Sequence, residues 1–195
     1  HKEVVQINSS NGAVTGVTLK SGETFNAPTV INAAGPHAAK INRMAGVYDE
    51  MKVHHQPLRQ EVFSPPAPVG FRLEDNAPIV ADLDLGQYFR PHMGDLLNVG
   101  TTEPACDELH FIDDADDWND SVTVEFFERV MLRLARRLPD FGVPLKLLGI
   151  GALYDVTDDW IPLYDKSSLN GFFMACGTSG NQFKNAPLVG KFIRA

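Results

Sequence analysis

The residues best placed to do chemistry lie near the end of the chain, in Gly177-Thr178-Ser179-Gly180-Asn181-Gln182-Phe183-Lys184, directly after the apolar run Gly171 to Cys176. A short continuous apolar run reads as a buried strand, so the unit is strand, glycine turn and helix N-terminus. Such a turn aims free backbone N–H groups and the positive end of a helix dipole at whatever sits above it. Together they favour an anion or a carbonyl oxygen that gains negative charge. A plain strand-to-helix connection uses the same residue types. A second turn of small residues, Ala33-Ala34-Gly35, closes the run Thr29-Val30-Ile31-Asn32 and precedes Pro36, a residue suited to the first helical position. It has no bulk above the backbone, so a ligand can approach closely; close helix–strand packing is the other explanation.

Other constellations carry less. Gly149-Ile150-Gly151 begins like a dinucleotide fingerprint, but Tyr154 stands where the third glycine belongs and no helix follows. His54 and His55 are adjacent in a strand pattern, so they point to opposite faces and cannot share an ion. Neither has a Cys or Glu at ligand spacing, which leaves ordinary histidines and no metal site. The acidic run Asp113-Asp114-Ala115-Asp116-Asp117 lacks the glycine and closing Glu of a calcium loop. No Gly-x-Ser-x-Gly elbow and no nucleophile–base pair is legible.

The elements that must position these turns follow from periodicity. Residues 3–7, 14–19 and 24–27 alternate between turn signals and predict an antiparallel meander. His37 to Ala45 reads as a helix stopped by Gly46. Strand patterns cover Val53–Phe63, Ile79–Leu83, Gln87–Phe89, Leu96–Val99 and Leu145–Leu153. A helix capped by Asp120 or Ser121 runs to Leu138, with Phe127, Val130, Met131, Leu134 and Leu138 on one face. Its arginines bunch in the last turns, where they complement the dipole. The fold class is mixed α/β. Residues 1–46 and 148–195 form one layer, and 47–147 form an inserted antiparallel-sheet domain with one long helix.

Composition excludes several function classes. The chain has 195 residues with a formal charge of −8, so nucleic acid is not an expected partner. No apolar run reaches the roughly 20 residues of a membrane helix. Two cysteines, Cys106 and Cys176, make no disulfide framework, and a reducing cytoplasm fits them. The chain opens on His1 in an apparent strand, as an excised piece of a longer protein would.

Three segments in register resemble one family. Val4-Val5-Gln6-Ile7 with Gly16-Val17-Thr18 and Val30-Ile31-Asn32-Ala33-Ala34-Gly35-Pro36 is similar to the second half of the FAD domain of D-amino-acid-oxidase-like flavoenzymes. Tyr154-Asp155-Val156-Thr157-Asp158-Asp159-Trp160-Ile161-Pro162 resembles their return segment. Ala175-Cys176-Gly177-Thr178-Ser179-Gly180-Asn181-Gln182-Phe183-Lys184-Asn185-Ala186-Pro187 resembles the closing flavin-contact motif of the sarcosine oxidase, glycine oxidase and dimethylglycine dehydrogenase branch.

The resemblance implies an FAD-binding layer and oxidation of the C–N bond of a small amine or amino acid by hydride transfer to flavin, with oxygen or another protein as electron acceptor. It places Val4 at the adenine, and Ala33, Ala34 and Gly35 beside the adenosine and pyrophosphate. Gly151 and Tyr154 fall at the strand end beside the flavin. Gly177, Ser179, Gly180, Asn181, Gln182 and Phe183 face the flavin ring, where a helix N-terminus stabilises negative charge that grows on hydride arrival. Lys184 holds the substrate carboxylate, and Tyr154 joins it as a catalytic residue.

Two departures bear on substrate: Asn181 replaces a histidine common in the family, and no arginine precedes Asp155 as a carboxylate clamp. The Gly-x-Gly-x-x-Gly turn of the family does not occur in these residues, so they are expected to retain FAD poorly by themselves. A non-catalytic binding or assembly subunit, and a flavoenzyme with glycerol-3-phosphate-like preference using Arg59 or Arg90, are the other readings.

Overall fold

The computed structural model describes residues 2–194, which divide into two compact units. The first holds residues up to Leu58, Phe111–Asp116, and the chain from Leu153 on; the second holds Arg59–His110 and Asp117–Ala152.

In the first unit, β1 (Val4–Ser10), β2 (Ala13–Leu19) and β3 (Thr24–Asn26) form the expected antiparallel meander. β4 (Val30–Asn32) leads through a 3-10 turn at Gly35–His37 into α1 (Ala38–Met44). The helix therefore begins one tight turn later than Pro36 suggests. The core of this unit joins Ile7 and Val14 of the meander with Ala38 and Val47. It also takes in Phe172, Met174 and Cys176 from close to the other end of the chain.

The second unit is built on a six-stranded sheet in the order β10-β5-β8-β7-β6, with β9 against β5. Its strands are β5 (His55–Phe63), β6 (Val80–Asp82), β7 (Gln87–His92), β8 (Leu96–Thr101), β9 (His110–Phe111) and β10 (Gly149–Thr157). β5 starts, and β10 ends, in residues of the first unit. One helix, α2 (Val124–Arg137), lays Phe127, Val130, Met131 and Leu134 on Phe63, Phe89, Leu97 and Val99. Those helix positions recur at i, i+3, i+4 and i+7, which is why the sequence made this face legible.

The helix starts at Thr123 rather than at Asp120 or Ser121, and no side chain caps it. The reason is Glu61, whose buried carboxylate accepts both the Thr123 amide and the Thr123 hydroxyl at 2.8 Å. Asp120 is occupied elsewhere, its carbonyl accepting the Gly151 amide at 3.1 Å. The strand expected at Leu145–Leu153 lies further on: Leu145 is fully exposed and β10 reaches Thr157.

β11 (Leu163–Lys166) and β12 (Phe172–Cys176) complete the first unit with α3 (Ala186–Arg194). β12 pairs antiparallel with β11 and parallel with β4, Phe173 opposite Ile31. This parallel pairing brings the segment that ends in Ala33-Ala34-Gly35 beside the segment that ends in Gly177, so both small-residue turns leave the same end of one sheet. Among the described residues no helix is long and apolar enough to cross a membrane.

Candidate functional site

The glycine turn after β12 has an unusual backbone. Gly177, Ser179 and Gly180 all have left-handed φ, at +64°, +49° and +72°. Ser179 is not a glycine and is 2% exposed, so its conformation is strained and held by its surroundings. Asp155 holds it: the Gly177 amide donates to Asp155 Oδ2 at 2.6 Å and the Ser179 amide to the Asp155 carbonyl at 2.8 Å. A Cβ at Gly180 would meet the Tyr154 ring at 2.2 Å, and one at Gly177 would meet Thr157 Cγ2 at 2.3 Å. The Tyr154 ring and the Thr157 methyl, both from β10, thus lie close against the turn and leave no room for a side chain at either glycine.

This corrects the expectation of a turn full of free donors. The Gly177, Ser179 and Asn181 amides are all engaged within the protein, Asn181 with the Thr178 carbonyl at 3.2 Å. The turn also does not run straight into an α-helix: a 3-10 turn, Phe183–Asn185, comes first, and α3 starts at Ala186. Beyond the turn, Asn181 is exposed and Gln182 half-buried, Phe183 is 96% exposed, and Lys184 reaches back to the Asn181 carbonyl at 2.9 Å.

Val4 and Ala34 come together in a separate cleft of about 750 Å³, lined also by Ile41 and Met44. Its basic side chains are balanced: Lys2 pairs with Glu23, Lys20 with Glu3 at 2.8 Å, and both His37 and Lys40 with Asp116. His37 is the first cause that holds the Asp116 carboxyl below its ordinary range. Ala33 is exposed beside Ala34, and Gly35 takes a left-handed φ of +55° that starts the following 3-10 turn.

Gly151 falls in the second unit, and packing accounts for it: a Cβ there would meet the Asp120 carbonyl oxygen at 2.6 Å. Arg59 is likewise committed, to the Asn119 carbonyl at 2.7 Å, the Ser121 carbonyl at 2.5 Å and Glu61 at 2.7 Å. With its guanidinium spent on these, it is not a free phosphate ligand. Arg90 makes a long contact of 3.4 Å to the Pro91 carbonyl.

Sequence reasoning missed a buried cluster. His55, Asp155 and Cys176 offer ligand atoms within 4.8 Å of one another. The strand argument about His54 and His55 held only for their sharing an ion with each other; it did not reach residues 100 positions away. His55 Nδ1 lies 2.7 Å from Asp155 Oδ1 and Nε2 lies 3.0 Å from Asn42 Nδ2. Burial pushes the Cys176 thiol up to about 12, and the Asp155 carboxylate adds to that rise while Asn42 offsets part of it. The thiol is thus protonated and inert, and the other two are bonded to each other. The cluster is built as a hydrogen-bonded core, since a metal would have to break the His55–Asp155 bond and ionise the thiol. The only signal for it in sequence was two polar residues in strands that otherwise bury their side chains.

No curated protein matches the chain. Solved structures do. L-proline dehydrogenase from P. horikoshii superposes with a TM-score of 0.76 at 23% identity over 98% of this chain and 48% of its own. Glycine oxidase from Geobacillus kaustophilus gives 0.75 at 22% over 99% and 47%. Iminodiacetate oxidase from Chelativorans sp. BNC1 gives 0.76 at 14% over 99% and 48%. At these identities the likeness establishes the fold, and the chain spans about half the length of each. The family model for FAD dependent oxidoreductases, DAO, matches residues 1–195, and the chain belongs to that FAD-dependent family.

Proposed function

We propose that this chain supplies one side of the FAD site and part of the substrate site of an oxidoreductase that oxidises the C–N bond of a small amine or amino acid. The observation that carries the proposal is the strained, Asp155-held turn Gly177–Gly180, with the Tyr154 ring against it and Phe183 and Lys184 presented beyond it. Strain of this kind persists where the surroundings over-determine it, and it clusters at sites of function. The residues fit the cofactor in kind. The cleft at Val4 and Ala34 combines the apolar Val4, Ile41 and Met44 with charged side chains that are paired off, which suits a neutral heteroaromatic base better than a free anion.

In this reading Val4, Ala33, Ala34 and Gly35 lie along the adenosine end, and Gly177, Ser179, Gly180, Asn181, Gln182 and Phe183 form the wall at the ring. FAD, when bound, accepts the hydride that leaves the carbon beside nitrogen. The chain's own task is to bind and orient. Lys184, exposed and, among the described residues, bonded to the Asn181 carbonyl, offers an ammonium to a substrate carboxylate. Tyr154 packs against the turn at Gly180, and the buried Asp155 keeps the turn from relaxing. Gly151 has no part assigned to it here, since packing already explains it. Transfer to oxygen or to another protein, a cytoplasmic location, and the sarcosine oxidase-like branch are further parts of the same proposal.

The experiment is purification of the full-length gene product, followed by anaerobic addition of glycine, sarcosine or proline. Bound flavin whose visible absorbance bleaches with one of them is the expected result. Protein without flavin, or flavin that none of them bleaches, contradicts the proposal. The 195 residues alone, which contain no Gly-x-Gly-x-x-Gly turn, are expected to hold FAD weakly; stoichiometric yellow protein from them would show otherwise.

A further inference from the structure

Within the first unit a line of buried polar groups joins the two small-residue turns. The Ala34 amide donates to Asn32 Oδ1 at 3.2 Å. Asn32 Nδ2 donates to Asn42 Oδ1 at 2.7 Å and to the Ala38 carbonyl at 2.9 Å. Asn42 Nδ2 then faces His55 Nε2, His55 Nδ1 faces Asp155 Oδ1, and Asp155 Oδ2 receives the Gly177 amide. The four side chains are 3% exposed or less.

Both ends of this line are backbone N–H groups, which can only donate, and that fixes every bond between them. Because Ala34 gives its hydrogen to Asn32 Oδ1, the amide of Asn32 points its NH2 at Asn42. Asn42 must then accept with Oδ1 and present its own NH2 to His55. Nε2 of His55 is therefore an acceptor and carries no proton, and the single ring proton sits on Nδ1, directed at Asp155. Asp155 ends the line as a carboxylate that accepts from His55 on one oxygen and from Gly177 on the other. The Cys176 Sγ lies 3.7 Å from Nε2. A second proton on the ring would set Nε2–H against the Asn42 NH2, donor facing donor.

An apolar residue of similar volume could fill the place of His55 without the cost of burying polar groups. What it could not do is set the hydrogen-bond direction on both sides. We propose that His55 is a positioning residue: as the neutral Nδ1–H tautomer it locks the Ala33–Gly35 turn and the Gly177–Gly180 turn into one hydrogen-bonded frame, so that the two ends of the cofactor site are held in a single register. The proposal rests on the reading of these turns as cofactor-facing, but its test does not need the cofactor.

The imidazole can be replaced one nitrogen at a time. In His55→Asn the side-chain NH2 can stand in for Nδ1–H and keep Asp155, while the Asn42 arm is lost. In His55→Gln the longer amide can offer its oxygen to Asn42 at the place of Nε2, while the Asp155 arm is lost. Amide hydrogen exchange and 15N spectra of this chain read both arms. The expected result in the unsubstituted protein is a pyridine-like 15N shift for His55 Nε2 and a pyrrole-like shift for Nδ1. Losing one hydrogen bond speeds exchange by about tenfold, so His55→Asn should do this at Ala34 and spare Gly177 and Ser179. His55→Gln should do the reverse. Equal acceleration at all three amides in both variants, as a packing defect would give, or a pyrrole-like Nε2, overturns the proposal. A parallel comparison of flavin absorbance in the full-length gene product tests the underlying cofactor reading separately: amides that respond as expected with an unchanged flavin spectrum remove the reading and with it the cofactor role of His55.

Discussion

Gly180 sits at φ +72° with the Tyr154 ring where a Cβ would have to go. Its replacement by alanine adds backbone strain to a steric clash, and Gly180→Ala is expected to lower unfolding free energy by about 1–3 kcal/mol in a urea titration. Cysteine chemistry separates two environments. Cys106 is exposed and Cys176 is buried with its thiol pushed up to about 12. A maleimide at neutral pH should label one site in the native protein and two only after denaturation. Residue types alone revealed the turn, because glycine and serine in series have few other uses. They did not reveal Asp155 as its holder: an acidic residue in a strand end reads as solvated until the fold brings Gly177 to it from 22 positions away.

At the scale of elements, α2 shows which sequence signals survive folding. Its apolar face was readable from spacing, and Leu134, wholly buried in it, is expected to cost about 2–5 kcal/mol as Leu134→Ala. Its arginines looked like dipole complement, yet they also have specific partners. Arg133 forks onto Asp107 at 2.6 and 2.7 Å, Arg129 reaches the same carboxylate at 3.2 Å, and Arg137 clasps Asp82. Burial alone would raise Asp107, but the hydrogen bonds from Arg133 and Arg129 outweigh it and hold its pKa down. The Asp107 side chain is 4% exposed, so Asp107→Asn leaves Arg133 short of a counter-charge, while Arg129 keeps Glu125, and should cost about 2–3 kcal/mol in thermal or urea unfolding. The start of this helix was misplaced because Glu61, far off in sequence, takes the groups of Thr123 that local rules reserve for capping.

For the whole molecule, composition marked changes of character near residues 47 and 148, whereas the units exchange at Leu58 and Leu153 and recover Phe111–Asp116 in the first. Val47 packs with Ile7 and Val14, and the Ile112 amide bonds the Pro57 carbonyl. Neither contact leaves a trace in local sequence. Stability over pH follows from opposed carboxyls. Asp82, whose pKa is lowered first by its hydrogen bond with Arg137, and Asp107 contribute stability above the ordinary carboxylate range that is lost as pH falls through their folded values. Glu103 is the reverse case: burial, with the Asp107 charge beside it, raises it from 4.5 to about 7 despite a hydrogen bond with Thr101. It binds its proton more tightly folded than unfolded, so stability falls as pH rises from about 4.5 to about 7. Because the carboxyl is partly exposed, solvent screening reduces the effect to about 1 kcal/mol. Thermal unfolding of Glu103→Gln should match the parent at pH 4 and exceed it at pH 8; equal curves at both would remove this account of Glu103.

The central claim is that the surface made by the Gly177–Gly180 turn and Lys184 meets flavin on one side and a substrate carboxylate on the other. The direct measurement is anaerobic flavin reduction in the full-length gene product and its Lys184→Met variant, with an amino acid and with the matching amine that lacks the carboxylate. The account predicts that the variant loses about tenfold or more in apparent affinity for the amino acid, as loss of a charge-assisted hydrogen bond implies, while the amine is reduced alike by both proteins. Equal affinity for the amino acid in parent and variant, or an equal loss with both compounds, would contradict it.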